Sequence, residues 1–433
     1  MPVAIVGGGA SGTILAAQLA RRGIASALID GSGRVGRGVA YSTREAVHLL
    51  NVRAEGMSAL AGEPDHFARR FAEEGGDPRG FAQRRFFATY MGELLEEAVE
   101  SGCTTIIEAS AIGAQRLDAR WSIEFDNRAS LEAEILVLAI GNQEPDTLRA
   151  FDGIGKRFVA NPWGAQARSA VEDLAANGGD ALLVGTGLTM VDLVLSLDAA
   201  GHQGAIVALS RRGQAPRGHA DFTPAPVGAH ELPPPNLRAL FRWLRRRSAE
   251  VGWRAAVDSL RPHSHALWQS LNTEEQRRFL RHVRPWWDVH RHRIAPEVAG
   301  IVARLVGEDR LAIVAGRVIA ATETPDAIEV ELRRRGSAAS QKMRFAYAFN
   351  CTGPLHSIER SRDPLLRSLL DGDAAEPDQL GIGLKVDESS RAGERLWALG
   401  PLTKGRYWEI IAVPDIREQA ARVADDIARE LRA

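Results

Sequence analysis

Two glycine loops, each set between a short apolar run and a helical stretch, lie about 180 residues apart and constrain this chain more than any other feature. The first follows Val3-Ala4-Ile5-Val6, the continuous apolar run that a parallel strand buried on both faces requires. It reads Gly7-Gly8-Gly9-Ala10-Ser11-Gly12, and the pattern then predicts a helix over Thr13 to Arg22 with Gly23 as its C-cap. The next strand, Ala25 to Ile29, ends on Asp30. The second loop follows Ala181-Leu182-Leu183-Val184 and runs through Gly185-Thr186-Gly187 into a helix over Met190 to Ala199. A strand at Ile206 to Leu209 completes the unit, and a meander of short strands follows each of the two units. The expected fold class is therefore α/β, with two Rossmann-like dinucleotide-binding domains.

Each position of the first loop has a physical task. Gly7 permits the tight turn, Gly9 lets backbone approach a pyrophosphate, and Gly12 lets helix and strand pack closely. Ala10 and Ser11 complete the loop as candidate cofactor contacts, and the helix N-terminus that follows presents unpaired N–H groups and a positive dipole end to phosphate. Asp30, 23 residues after Gly7, is placed to accept from ribose hydroxyls and would repel a 2′-phosphate, so this site suits FAD or NAD. In Gly185-x-Gly187-x-x-Met190 the third glycine is missing, and methionine should hold the helix slightly away from the strand. Leu188 and Thr189, just ahead of that helix, are candidate cofactor contacts, while the following strand ends in Ser210-Arg211-Arg212 with no acidic residue. Paired guanidinium groups at the ribose edge suit a 2′-phosphate, so NADPH is expected over NADH, with NADH as the alternative.

Elsewhere, short strands include Trp121 to Phe125 and Glu134 to Ile140, the latter ending in Ala139-Ile140-Gly141-Asn142, which makes Gly141 a candidate cofactor contact. A proline-rich connection leads into residues 237 to about 305, which read as helical and rich in arginine and tryptophan. Strands are expected again at Leu311 to Ile319, Ala327 to Leu332, Met343 to Asn350 and Leu396 to Leu399. A final helix should begin near Ile416, with Asp415 and Glu418 at capping-box spacing. The expected division is an FAD domain from residues 1–155 and 361–433, with an NAD(P)H domain, 156–360, inserted in it and itself carrying a helical insertion at about 214–305.

Composition narrows the function classes. Lysine plus arginine is 54 against 55 acidic residues, a net charge of −1 that gives no electrostatic reason to expect nucleic acid or an anionic membrane as partner. Cys103 and Cys351 form no CxxC pair, which argues against a redox dithiol. No apolar run reaches the roughly 18 residues of a membrane span, and the N-terminus does not read as a signal peptide, so a cytoplasmic location is expected.

At this point the chain resembles the two-dinucleotide-binding-domain flavoproteins, and within them the bacterial FAD/NAD(P)-binding protein family. That family is related to flavin-dependent N-hydroxylating monooxygenases such as the lysine and ornithine hydroxylases. The more specific stretches are Gly38-Val39-Ala40-Tyr41-Ser42, Leu50-Asn51-Val52 with Met57-Ser58, Gly185 to Leu197, Ser210 to Gly213, Trp286 to Pro296, and Gly400 through Trp408-Glu409 to Pro414. The resemblance implies that Gly38 to Tyr41 and Asn51 to Ser58 approach FAD and its ring, and that Gly400-Pro401 contributes to the flavin site. Many relatives carry Gly-Asp there, and proline removes that aspartate's contact to the ribityl chain. The terminal helix, starting near Pro414 and Asp415, would aim its positive end at the flavin pyrimidine edge.

NADPH would then deliver hydride to flavin N5. The resemblance implies oxygen activation through a C4a-hydroperoxyflavin and hydroxylation of a small amine or amino acid. Two alternatives stand beside it: a flavin reductase acting on a quinone, small molecule or partner protein, and a non-catalytic FAD-binding redox sensor. His290-Arg291-His292-Arg293 is read chiefly as packing and salt bridges, with a substrate or nicotinamide-phosphate contact as the alternative; a metal site is not expected, since His-x-His lacks a third ligand nearby. His219 is read as a loop histidine that could also reach the nicotinamide side. The partner is a small-molecule substrate, and neither its identity nor the oligomeric state is readable from the chain.

Overall fold

A computed structural model of the chain describes residues 1–355 and 357–432. Two separate sheets carry the two glycine loops. In the first, the strands Thr104–Ile107, Ser26–Ile29, Val3–Val6, Ile135–Leu138 and Leu396–Ala398 run parallel in that spatial order, and Arg391–Gly393 adds an antiparallel edge. In the second, Phe158–Val159, Tyr347–Asn350, Ala181–Val184, Ile206–Ser210 and Leu311–Glu323 are parallel, and Ile328–Arg334 and Gln341–Phe345 extend it antiparallel. A small antiparallel sheet, Ala111–Leu117, Arg120–Phe125 and Ser130–Ala133, is appended to the first. All strands of the second sheet lie in sequence between Leu138 and Arg391 of the first, so the second Rossmann-like unit is inserted in the first.

The central parallel strands Val3–Val6, Ile135–Leu138 and Ala181–Val184 are apolar throughout, as strands covered on both faces must be. Val3, Ala4 and Ile5 are fully buried in the first core, Ala181 and Leu183 in the second, and Leu182 in a third. The helical insertion spans Leu237–Val251, Trp253–Ser259, Ser264–Ser270, Thr273–Arg278, Arg284–Arg291 and Pro296–Gly307, the last of which packs back onto the second core through Val298 and Leu305.

Three expectations need correction. The first helix begins at Ala10, because Gly9 is itself the N-cap. The run Met343 to Asn350 is two strands parted at Ala346: Gln341–Phe345 pairs antiparallel with the edge, while Tyr347–Asn350 enters the parallel centre. An apolar run cannot reveal that its two halves have different neighbours. The terminal helix, Val413–Glu430, starts earlier than Ile416, with Ala412 as N-cap and no side-chain cap. Pro414 is pre-set for the first turn, which puts Asp415 inside the helix and leaves no capping box there.

Candidate functional site: two facing dinucleotide loops

The two loops are built alike, bond for bond. Gly7 N–H donates to Ile29 O at 2.8 Å and Gly185 N–H to Leu209 O at 2.7 Å. Behind them, Ala139 N–H reaches Val6 O and Cys351 N–H reaches Val184 O, both at 2.8 Å. Gly7 has φ +107° and a Cβ there would fall 2.4 Å from Ala139 O; Gly185 has φ +122° and a Cβ there would fall 2.1 Å from Cys351 O. No L-side chain fits either place. At Gly12 a Cβ would lie 1.9 Å from Gly7 O, the close helix–strand approach the motif requires. Met190 occupies the matching place in the second loop and is fully buried in that core, so the missing glycine is absorbed by packing.

Both helices start on a glycine N-cap, Gly9 or Gly187, with no side-chain cap. Among the described residues nothing accepts from the amides of Ala10, Ser11 and Gly12, or of Leu188, Thr189 and Met190. Uncapped N-terminal amides of this kind are ready anion sites. Asp30 sits where the ribose edge is expected, but its carboxylate also braces the loop: Oδ2 accepts from Gly8 N–H at 2.7 Å and Oδ1 from Ser32 N–H at 2.7 Å. The shorter aspartate thus reaches the loop's own backbone.

The other candidate positions gather around the first loop. Gly38 lies against Gly9 and opens the short helix Gly38–Tyr41, while Gly36 N–H donates to Gly8 O at 2.7 Å. The Tyr41 ring packs 4.6 Å from Phe87, and burial pushes its hydroxyl up to about 12. Gly400 lies against Ser11 and donates to Gln419 Oε1 at 2.8 Å; Pro401 is buried in the turn that follows. Gly141 follows the residues that back Gly7, and Asn142 Oδ1 next to it accepts from Lys404 Nζ at 3.0 Å. That bond ties the exit of one strand to the loop after Gly400. Burial, helped by Arg284, pushes the Lys404 amine down to about 8. Lys404 was missed by sequence reasoning, although it is one of only four lysines among the 54 basic residues.

Two groups of expected contacts are placed differently. Met57 and Ser58 are buried in the first core, and Ser58 Oγ donates to Glu63 O at 2.6 Å, so this hydroxyl serves its own turn. Arg212 is consumed by the insertion, donating to the carbonyls of His282 at 3.0 Å and Arg281 at 3.3 Å. Arg211 is exposed and has no ion-pair or hydrogen-bond partner for its side chain among the described residues, so of the expected pair it alone is free. Asn51 offers its carbonyl to His219 Nε2 at 3.0 Å, joining the two units. Burial, with Arg293 and Arg53 nearby, lowers the His219 pKa to about 4, which keeps its ring neutral.

Between the units lies a cleft of about 690 Å³, within the range of ligand pockets. Arg34, Arg37, Arg44 and Arg168 line it together with Thr189 of the helix that follows the second loop. Of the acidic side chains on the same wall, Glu45, Glu172 and Asp192, the last is neutralised by Arg84, which leaves the arginines in excess and the wall suited to phosphate. The arginines come from the segment after Asp30 and from the helix Ala165–Asn177, and no single motif marks them. Below the cleft, Arg84 forks onto Asp192 at 2.7 and 2.8 Å, with 10% and 8% of the two side chains exposed.

The insertion docks on the loop after Gly400. Trp287 Nε1 donates to Glu409 Oε1 at 2.7 Å, and Arg291 pairs with Glu409 at 2.9 Å. Burial raises the Glu409 carboxyl, yet His292 and Arg291 more than offset it and hold it below the usual range. Arg293 pairs with Asp258, and His290 Nδ1 bonds with Trp286 O at 2.7 Å. Within the His290 to Arg293 run, Arg291 thus ties the insertion to the loop after Gly400 while His290 and Arg293 bond inside the insertion, and no group of three or more potential metal ligands gathers among the described residues. Burial also raises the Cys351 thiol. Among the described residues no helix is long and apolar enough to cross a membrane.

Against known proteins, residues 4–143 match a family described as FAD-NAD(P)-binding. No curated protein matches the chain. Among solved structures, L-lysine 6-monooxygenase from Pseudomonas syringae is similar at 17% identity over 99% of both chains, with a TM-score of 0.70. The Kutzneria sp. 744 ornithine N-hydroxylase, solved with reduced FAD, NADP+ and L-ornithine, is 16% identical over 99% of both chains, TM-score 0.66. Thioredoxin reductase from T. acidophilum shares 12% identity over 100% of this chain and 98% of its own, TM-score 0.57. At these identities the likeness is one of fold: the two-unit flavoprotein architecture.

Proposed function

We propose that this chain is an FAD-dependent, NADPH-consuming monooxygenase that hydroxylates a small amine or amino acid. The observation that carries the reading is the pair of equivalently built, uncapped glycine loops, with an arginine-lined cleft that reaches Thr189 at the second. Two dinucleotides on one chain serve to pass a hydride from one to the other, and bound FAD supplies the chemistry that then activates oxygen. In this reading FAD lies on residues 1–155 and 361–433, over Gly7 to Gly12 and Asp30, with Gly38, Tyr41, Gly141 and Gly400-Pro401 around it. NADPH lies on residues 156–360, over Gly185 to Thr189, with Arg211 at its 2′-phosphate.

The residues themselves bind, orient and hold charge. Amides at both helix starts neutralise pyrophosphate. The positive end of the terminal helix and the Lys404 ammonium favour an anionic ring nearby. The insertion, clamped through Glu409, restricts water around the loop after Gly400. The overall balance is R–NH2 + O2 + NADPH + H+ giving R–NHOH + H2O + NADP+. The structures similar in fold include lysine and ornithine hydroxylases, which supports this substrate class.

The test is NADPH-driven oxygen uptake by the FAD-loaded protein across a panel of amines and amino acids, with hydroxylamine measured as product. Coupled product formation upholds the reading. Flavin bleached by NADPH with no hydroxylamine from any amine favours a reductase, and flavin left oxidised by NADPH removes the second cofactor from the account.

A further inference from the structure

A second cavity lies inside the helical insertion, away from the arginine-lined cleft. It measures about 90 Å³, smaller than the roughly 150 Å³ apolar cavity that takes up benzene, so a ring enters only if part of the cover yields. Its wall is an aromatic cluster: Trp268 and Trp408 stack with centroids 5.0 Å apart, and Phe279 stands edge-on to Trp408 at 5.4 Å, with Trp287 beyond at 6.5 Å. The helix Leu237–Val251 lays Leu240 and Phe241 over it, yet buries none of its own residues fully, and Phe241 is 39% exposed. That cover is lightly held.

The polar atoms of the wall are almost all spoken for. Ser264 Oγ donates to Leu260 O at 3.2 Å, Trp268 Nε1 to Gly405 O at 2.9 Å, and Trp287 Nε1 to Glu409 Oε1. Trp408 Nε1 alone is buried without an acceptor among the described residues. Such a wall offers no counter-charge to a carboxylate or ammonium, and burying either unpaired costs several kcal/mol. It suits a ring or a branched alkyl group with at most one acceptor. Trp408 belongs to the stretch that follows Gly400-Pro401, and Trp268 and Trp287 both bond to that stretch, at Gly405 O and Glu409 Oε1, so the wall is anchored on a segment that also enters the proposed flavin site.

We propose that this cavity receives the apolar body of the substrate: a small amine bearing a single aromatic ring or a short branched alkyl group, its amino group left at the mouth. This rests on the amine-hydroxylation reading and separates the chain from hydroxylases of zwitterionic lysine or ornithine.

The test titrates the full-length, FAD-loaded protein with 2-phenylethylamine, 3-methylbutylamine and L-ornithine, read by tryptophan fluorescence and by hydroxylamine formation in parallel. Three of the wall residues are tryptophans, so occupancy is visible without turnover. The expected result is saturable quenching by the two apolar amines and none by L-ornithine, with hydroxylamine from the same two. Leu240→Trp, which fills the cavity from its cover, should weaken binding at least tenfold, and Trp408→Phe, which keeps a ring but removes the free N–H, provides a milder second variant. Circular dichroism checks that each variant is folded. Absence of saturable binding, or binding unmoved by both variants, overturns the site. Binding by the apolar amines with NADPH oxidised but no hydroxylamine overturns the substrate assignment, whereas flavin inert to NADPH despite intact, variant-sensitive binding leaves the cavity upheld and the hydroxylation reading refuted.

Discussion

Replacing Asp192 by alanine should uncouple the two dinucleotide units. Asp192 projects from the helix Leu188–Ala199 and takes both terminal nitrogens of Arg84, which opens the helix Arg84–Glu100 under the first sheet. Arg84 Nε stays bonded to Leu49 O at 3.0 Å, so the guanidinium cannot swing out to water when its acid partner goes. A charge left unpaired at 10% exposure costs about 3–5 kcal/mol. For a unit of about 200 residues each kcal/mol moves the melting temperature by roughly 2–4 °C, so Asp192→Ala should lower the second unit's transition by about 6–20 °C. Scanning calorimetry of the FAD-loaded protein reads this directly, because two units can melt separately. The apolar double variant Arg84→Met/Asp192→Leu removes both charges and should recover most of the loss. A single-variant shift under 2 °C, or a double variant no better than the single, would refute the claim that this pair is buried and coupled.

Other outcomes follow from the same geometry. Gly185→Ala should prevent the second unit from folding, whereas Gly187→Ala, whose Cβ would meet nothing within 4 Å, should fold normally and show its damage only as a raised KM for NADPH. Arg211→Ala should weaken NADPH binding roughly 10- to 100-fold by loss of a charge-assisted contact and leave NADH unchanged; Arg212→Ala should instead lower the melting temperature by loosening the insertion. For His219 the folded pKa of about 4 lies below the unfolded 6.5, so the unfolded chain binds more protons between these values and stability falls as pH drops through that window. The loss has a ceiling of about 3 kcal/mol, less for a half-buried ring, and urea midpoints at pH 7 and pH 4.5 should converge in His219→Gln relative to the parent.

Local patterns carried much of this far. A glycine loop needs only its own backbone, the preceding strand and the following helix, all within about thirty residues, so Gly7, Gly9, Gly12, Gly185 and Gly187 were legible along with the strands that support them. The duplicated fold followed from finding that unit twice. What the sequence could not show was partnership at long range. Arg211 and Arg212 are adjacent and chemically identical, yet Arg212 is taken up by carbonyls some 70 residues away, which leaves Arg211 alone without a side-chain partner among the described residues. The Lys404–Asn142 contact, the Arg291–Glu409 clamp and the aromatic cavity each join segments separated by more than a hundred residues. Periodicity and motif spacing report neighbours along the chain; which charges are paired, which donors remain free and where space is left are decided only when distant segments pack together.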